Sequence, residues 1–251
     1  MSFTQEFCQI VQNMSIASGI FDLRVAAPKA AAQAKAGQFA HILCEGKTLR
    51  RPISIGEIDQ AAGTLRLIYE VRGEGTAWLS TLQPGDMLDI LAPLGKGFDA
   101  DGLANVVLVG GGIGVPPLLE TAKTAQSADA LLGFRSARNV ILQENFAAIC
   151  QNVKIATEDG SLGEMGFVTP LLEERLMQPC SLVCACGPGP MLKAVAEICA
   201  RYEVKCQVSL EERMACGIGA CLVCACRVRG EAGYLHVCKA GPVFDAKDVV
   251  W

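Results

Sequence analysis

The sequence is poor in the features that mark nucleic-acid binding, membrane insertion or export. Its 22 Lys and Arg are outnumbered by 26 Asp and Glu, for a formal charge of −4. No basic surplus is there to neutralise a phosphate backbone. The N-terminal stretch M-S-F-T-Q-E-F-C has neither a basic segment nor an apolar core, and no secretory signal is expected. The longest apolar run, residues 106–119, is broken by four glycines and two prolines, which makes it a poor membrane span. Histidine is scarce: only His41 and His236 are present. They offer no obvious acid–base pair, and both are expected to be structural. No internal repeat is visible, and the one biased tract, alanine-rich residues 26–36, is expected as a loop or a turn of helix. Together these absences lead to the expectation of a cytoplasmic protein with no nucleic-acid and no membrane partner.

Cysteine is abundant instead, with 13 in 251 residues. An odd count without an export signal points to a reducing compartment and metal chemistry rather than a disulfide framework. Cys216, Cys221 and Cys224 read C-x4-C-x2-C, and Cys238 follows after thirteen more residues. This is the plant-type [2Fe–2S] spacing. Three thiolates would come from one tight loop and the fourth from a strand returning to it. Gly217 and Gly219 suit a backbone wrapped closely around a cluster, with amides aimed at the sulfurs. Structural zinc usually takes paired C-x2-C knuckles, and only Cys221 and Cys224 make one. Zinc and plain core cysteines remain the competing readings. Cys226 lies beside the loop and is expected to be a bystander.

Hydrophobic residues make up 51% of the chain, enough for a well-filled core. The first hundred residues alternate with period two. Phe21, Leu23 and Val25 form one such set, Phe39, His41 and Leu43 another, and Leu65, Leu67, Tyr69 and Val71 alternate with Arg66, Ile68, Glu70 and Arg72. With a turn at Gln83-Pro84-Gly85-Asp86, this predicts an antiparallel β-barrel over residues 1–100. From 101 to 210, strands at 105–109, 130–134, 153–157, 181–185 and 205–210 alternate with helices such as 169–177 and 191–201. That pattern predicts a parallel-sheet α/β nucleotide-binding domain. Residues 211–251 form a small cysteine-rich appendix.

Two turns in the α/β half carry chemistry. The first strand runs into Gly110-Gly111-Gly112-Ile113-Gly114 and then a helix, with Pro116 or Pro117 in its first turn. A helix N-terminus behind a glycine turn suits a phosphate, although the spacing is not G-x-G-x-x-G. Arg135 and Arg138 stand where an acidic residue would favour NAD over NADP. The second turn, Cys184-Ala-Cys186-Gly-Pro-Gly-Pro, also ends a strand. Cys186 is the candidate catalytic position, at the floor of a nicotinamide pocket, and Cys184 reads as core. In the β half, Arg51 suits a pyrophosphate, Ser54 a flavin ring, and the amides around Gly75 and Thr76 a phosphate.

In order along the chain stand R-P-I-S, Y-E-V-R-G-E-G-T, A-P-L-G-K-G-F, V-G-G-G-I-G-V-P-P-L, C-G-P-G-P-M, L-E-E-R-M-A-C-G-I-G-A-C-L-V-C and V-C-K-A-G-P-V-F-D-A. This set resembles the electron-transfer subunits of NAD-dependent dihydroorotate dehydrogenases, in the ferredoxin–NADP reductase superfamily. The resemblance implies an FAD-binding barrel, an NAD-binding α/β domain and a C-terminal [2Fe–2S] unit. It places FAD contacts on Arg51, Pro52, Ile53, Ser54, Ile68, Tyr69, Glu70, Gly75 and Thr76, while the glycine turn itself makes Gly110, Gly111, Gly112 and Gly114 the candidates for holding the nicotinamide nucleotide. The cluster ligands fall on Cys216, Cys221, Cys224 and Cys238. It also implies an FMN-containing catalytic subunit as partner, two of each chain, and a role in pyrimidine synthesis. The small subunit of an NADPH–ferredoxin oxidoreductase has a similar layout. A zinc-stapled interaction module is the reading from a different class.

Overall fold

The computed structural model describes residues 3–230 and 233–251; the first two residues of the N-terminal stretch lie outside them. The N-terminal part contains β1 (Thr4–Ala17), β2 (Ile20–Ala26), α1 (Pro28–Ala31), β3 (Phe39–Ile42), β4 (Arg51–Asp59), β5 (Thr64–Glu70), α2 (Glu74–Leu79) and β6 (Met87–Leu94). The six strands close an antiparallel barrel in the order β1-β2-β5-β4-β3-β6. The alternation in the sequence explains its interior. Leu65, Leu67 and Tyr69 of β5 point inward onto Leu23, Val25, Ile42 and Ile90, because side chains two apart on a strand share a face. The 83–86 turn forms as expected, with the Asp86 carboxylate accepting from the Gln83 amide at 2.8 Å. Within β3, Phe39 and His41 are buried on the outer face of the barrel, while Leu43, of the same parity, lies beyond the strand and is exposed.

The second part runs β7 (Val106–Gly111), α3 (Pro117–Thr124), β8 (Ala128–Phe134), α4 (Gln143–Ala147), β9 (Asn152–Thr157), β10 (Glu164–Met165), α5 (Thr169–Arg175), β11 (Leu182–Cys186), α6 (Gly189–Arg201) and β12 (Cys206–Ser209). A last segment adds β13 (Ala225–Arg227), β14 (Tyr234–His236) and β15 (Val243–Asp245). The main sheet has the order β10-β9-β8-β7-β11-β12-β15. It is parallel except for β15, which runs antiparallel to β12. All six residues of β7 are buried, as a central strand covered on both faces requires. Strand order reverses between β7 and β11. In open α/β sheets the crevice at that reversal, beyond the carboxyl ends of the strands, is where ligands gather.

The barrel is fastened to the sheet along β4 and α3. Glu120 accepts from the Ile58 amide at 2.9 Å, and Lys123 pairs with Glu57. Burial works against the Glu57 carboxylate, but Lys123 and Arg66 hold it below its ordinary range. Arg66 falls on the polar side of the β5 alternation, yet it is only 8% exposed. Its Nε donates to both oxygens of buried Asp22 at 3.0 Å, and it also meets Glu57 at 3.2 Å. Removing one member of a buried pair strands the other charge away from water. Arg66→Met is therefore expected to cost about 3–5 kcal/mol in urea unfolding. Adding Asp22→Asn to that variant should recover much of the loss.

Candidate functional site

Two cavities flank the reversal point. The larger, about 850 Å³, lies beyond the ends of β7, β8 and β11. Gly111, Gly112 and Gly114 line it, together with Arg135, Glu158, Phe167 and Met191. Gly110 does not reach it; a side chain there would collide with Val115. At Gly114 a Cβ would sit 2.5 Å from the Cys186 carbonyl oxygen. The glycine turn therefore presses against the end of β11, an approach no other residue allows. Arg138 does not line either cavity. Glu70 and Arg72 bring the barrel into this cavity's wall, and the Glu70 carboxylate accepts from Arg72 Nε at 2.6 Å.

The smaller cavity, about 470 Å³, is walled by Pro52 and Ser54 of the barrel, Ile113 and Cys186 of the sheet domain, and Glu212, Arg213, Met214 and Val237 of the last segment. Cys186 lines both cavities. Burial pushes its thiol up to about 12, with the Ser209 hydroxyl working against the rise and Glu211 adding to it. It is a neutral thiol that shapes a wall, and it is not poised as a nucleophile. Cys184 is fully buried in the core.

The barrel residues singled out in the sequence divide by what their side chains can reach. Arg51 lies against the backbone of Gly75, where a Cβ would be 2.5 Å from its Nε. The R-P-I-S and G-E-G-T segments thus meet, a ready cradle for a phosphate-bearing group between guanidinium and main chain. The Thr76 hydroxyl accepts from the Arg72 amide at 2.9 Å and fixes that loop. Tyr69 points into the barrel, stacked on Phe21 at 5.6 Å and bonded to Asn13 at 3.2 Å, so it offers a ligand only its main chain. Ile53 packs against the barrel core, and Ile68 packs into the core shared with the sheet domain.

The cysteine loop comes after β12. The β13–β14 hairpin pairs Ala225 with His236, and the Val237 amide donates to the Cys224 carbonyl at 2.9 Å. That ladder carries Cys238 back beside Cys224. The Gly219 amide donates to Cys238 Sγ at 3.1 Å and the Cys221 amide to Cys216 Sγ at 3.4 Å. Burial opposes ionisation of Cys216, but the amides of Ile218, Cys221 and Ala220 favour it and bring it down to about 6. Burial and the adjacent Cys224 push the Cys238 thiol up to about 12. Amides aimed at sulfurs fit a two-iron cluster. Cys226 sits on β13 opposite Leu235, in the core.

Sequence reasoning did not single out Arg213 and Met214, which lie inside the quoted E-E-R-M motif, or Phe167, which no pattern marks. His41, expected to be structural, is fully buried with both ring nitrogens unpaired.

A family model described as the iron–sulfur cluster binding domain of dihydroorotate dehydrogenase B matches residues 211–250. A dihydroorotate dehydrogenase B (NAD(+)) electron transfer subunit from Caldanaerobacter subterraneus subsp. tengcongensis is 47% identical over 220 residues, 86% of this chain and 87% of that one. A subunit of the same name from a Geobacillus species is 42% identical, covering 98% of each. Among solved structures, a chain of an NADH-dependent reduced ferredoxin-NADP oxidoreductase superposes with a TM-score of 0.89 at 28% identity, over 98% of this chain and 90% of that one. The ferredoxin reductase of a carbazole 1,9a-dioxygenase shares the fold, with a TM-score of 0.70 at 19% identity over 81% of this chain and 67% of that one.

Barrel, sheet and paired cavities define an oxidoreductase of the ferredoxin-reductase type. Within that class, the chain belongs to the family of electron transfer subunits of dihydroorotate dehydrogenase B. No helix among the described residues is long and apolar enough to cross a membrane.

Cys221→Ser removes one loop thiol without touching either cavity. It should abolish the iron–sulfur signal while FAD stays bound, as iron, sulfide and flavin analysis of the purified protein would reveal. Loss of both together would mean that the walls the last segment gives the smaller cavity depend on the cluster being in place.

Proposed function

We propose that this chain carries electrons between a catalytic partner subunit and NAD⁺, with the flavin ring of FAD in the smaller cavity and the rest of FAD along the barrel, the nicotinamide nucleotide in the larger cavity and a [2Fe–2S] cluster in the cysteine loop. One observation carries this reading: residues of all three parts of the chain wall the smaller cavity, and Cys186 is common to both cavities. The flavin's place is thus between the other two sites. A bound flavin supplies the exchange between two-electron nicotinamide chemistry and one-electron cluster chemistry.

The chain's own residues would bind and orient. Arg51, Pro52, Ile53 and Ser54, the main chain of Ile68, Tyr69 and Glu70, and Gly75 with Thr76 would hold FAD. Gly111, Gly112 and Gly114 would let the nucleotide lie against the end of the sheet, with Gly110 packed on Val115 behind them and Cys186 as the neutral wall facing both rings. Cys216, Cys221, Cys224 and Cys238 would ligate the cluster. The working division is residues 1–100 for FAD, 101–210 for NAD and 211–251 for the cluster. The partner would be an FMN-containing subunit that oxidises dihydroorotate, two of each chain in the complex, in the cytoplasm. A second reading, the small subunit of an NADPH–ferredoxin oxidoreductase, draws support from Arg135 in the wall of the larger cavity.

The isolated chain should not turn over dihydroorotate, and adding the partner subunit should couple dihydroorotate oxidation to NAD⁺ reduction. With an artificial electron acceptor, NADH should exceed NADPH at least about tenfold in kcat/KM, which corresponds to about 1.4 kcal/mol of discrimination. A preference for NADPH would favour the second reading. Dihydroorotate turnover by the chain alone would overturn the division of labour.

A further inference from the structure

His41 is 0% exposed. Its two ring nitrogens are the only buried side-chain nitrogen or oxygen atoms among the described residues without a hydrogen-bond partner. A buried polar group without a partner is costly and calls for an explanation. The Arg50 main chain lies beside the ring without meeting hydrogen-bond geometry. Burial, with Arg50 and Arg51 close by, keeps the imidazole neutral, so it holds one N–H donor and one acceptor.

The ring's surroundings narrow the choice of partner. His41 Nδ1 faces Gly217, where a Cβ would collide with that nitrogen. Gly217 has φ +73°, and it comes directly after Cys216, at the start of the cysteine loop. On its own strand His41 is two residues from Phe39, whose ring meets the imidazole edge-on at 6.5 Å and lines the smaller cavity. Across the ladder it pairs with Pro52, which lines the same cavity. The imidazole therefore stands between the proposed flavin site and the loop.

We propose that His41 donates its N–H to a sulfur of the cluster held by the Cys216 loop, joining the barrel to that cluster as a positioning and tuning residue. The proposal rests on the cluster reading above. A donor to sulfur stabilises the more negative, reduced cluster and raises its potential. The same bond would make the barrel side of the cluster part of its shell, so that flavin site and cluster move as one body.

The chain contains only two histidines, so isotope labelling is unambiguous. The full chain, reconstituted anaerobically and reduced with dithionite, would be labelled with ¹⁵N-histidine and examined by pulsed EPR. A ¹⁵N coupling to the cluster should survive His236→Asn and disappear in His41→Gln. Potentiometric titration should give a lower midpoint for His41→Leu, which has no donor, with His41→Gln lying nearer the wild type. A coupling absent from the His236→Asn protein, or a His41→Leu midpoint and EPR spectrum identical to wild type, would overturn the proposal while leaving the cluster in place. If His41→Leu loses iron on purification, the labelled His236→Asn protein alone decides. A wild-type chain with no [2Fe–2S] signal after reconstitution would remove the cluster reading itself.

Discussion

The seam between β4 and α3 sets how the two halves of the molecule face each other. Glu57 stands at its centre, shared between Lys123 of α3 and Arg66 of the barrel. One residue further on, the Ile58 amide is capped by Glu120. Gly56 completes the contact, since a Cβ there would meet the Pro116 carbonyl oxygen at 3.4 Å. These contacts lie on the strand that begins with Arg51-Pro52-Ile53-Ser54 and on the helix behind the glycine turn. The seam thus fixes the spacing between the residues assigned to flavin and those assigned to nucleotide. Ionic and polar contacts suit this place because they impose register, which a purely apolar face leaves free; a buried pair adds orientation more than raw stability.

The cysteine loop is held less by its own small hairpin than by the C-terminal segment behind it. β15 adds to the edge of the main sheet, pairing Val208 with Phe244, and Phe244 packs into the core beside Val208 and Ala246. At the other side, the Lys96 amide donates to Gly241, and Gly95 leaves room for Pro242, where a Cβ would sit 2.5 Å from the proline ring. The G-P-V-F-D segment is therefore a clasp between barrel and sheet. It explains why a loop of exposed apolar residues, with Leu222 at 77% and Val223 at 51%, can keep a defined shape against the body of the protein. Apolar side chains left open around such a loop are the usual mark of a contact surface, in keeping with a subunit that works with a partner.

Much of this was legible in the sequence, for identifiable reasons. Alternation in β5 and the continuous apolar run of β7 each reflect how many faces of a strand are covered, so both strands appeared where expected. The cysteine spacing pointed to a loop and a returning strand, and β14 does bring the chain back so that Cys238 follows the Val237–Cys224 hydrogen bond. Three features were hidden. Arg66 looked like an outward polar residue, and its burial between Asp22 of β2 and Glu57 of β4 shows only once the barrel strands are paired. The three-residue β15 is too short for any periodicity, and its antiparallel pairing with β12 depends on the whole sheet being present. His41 read as an ordinary core histidine, because nothing local shows that its neighbours on the far side belong to a loop about 175 residues later; the missing hydrogen bonds appear only in three dimensions.

The central claim is that flavin and cluster share one electron path that opens to NADH. It is tested most directly by the visible spectrum of the anaerobically purified chain before and after NADH is added. The account predicts flavin and iron–sulfur bands that bleach together. A flavin that bleaches while intact cluster bands stay oxidised, or a protein that stays colourless after reconstitution with FAD, iron and sulfide, would contradict it.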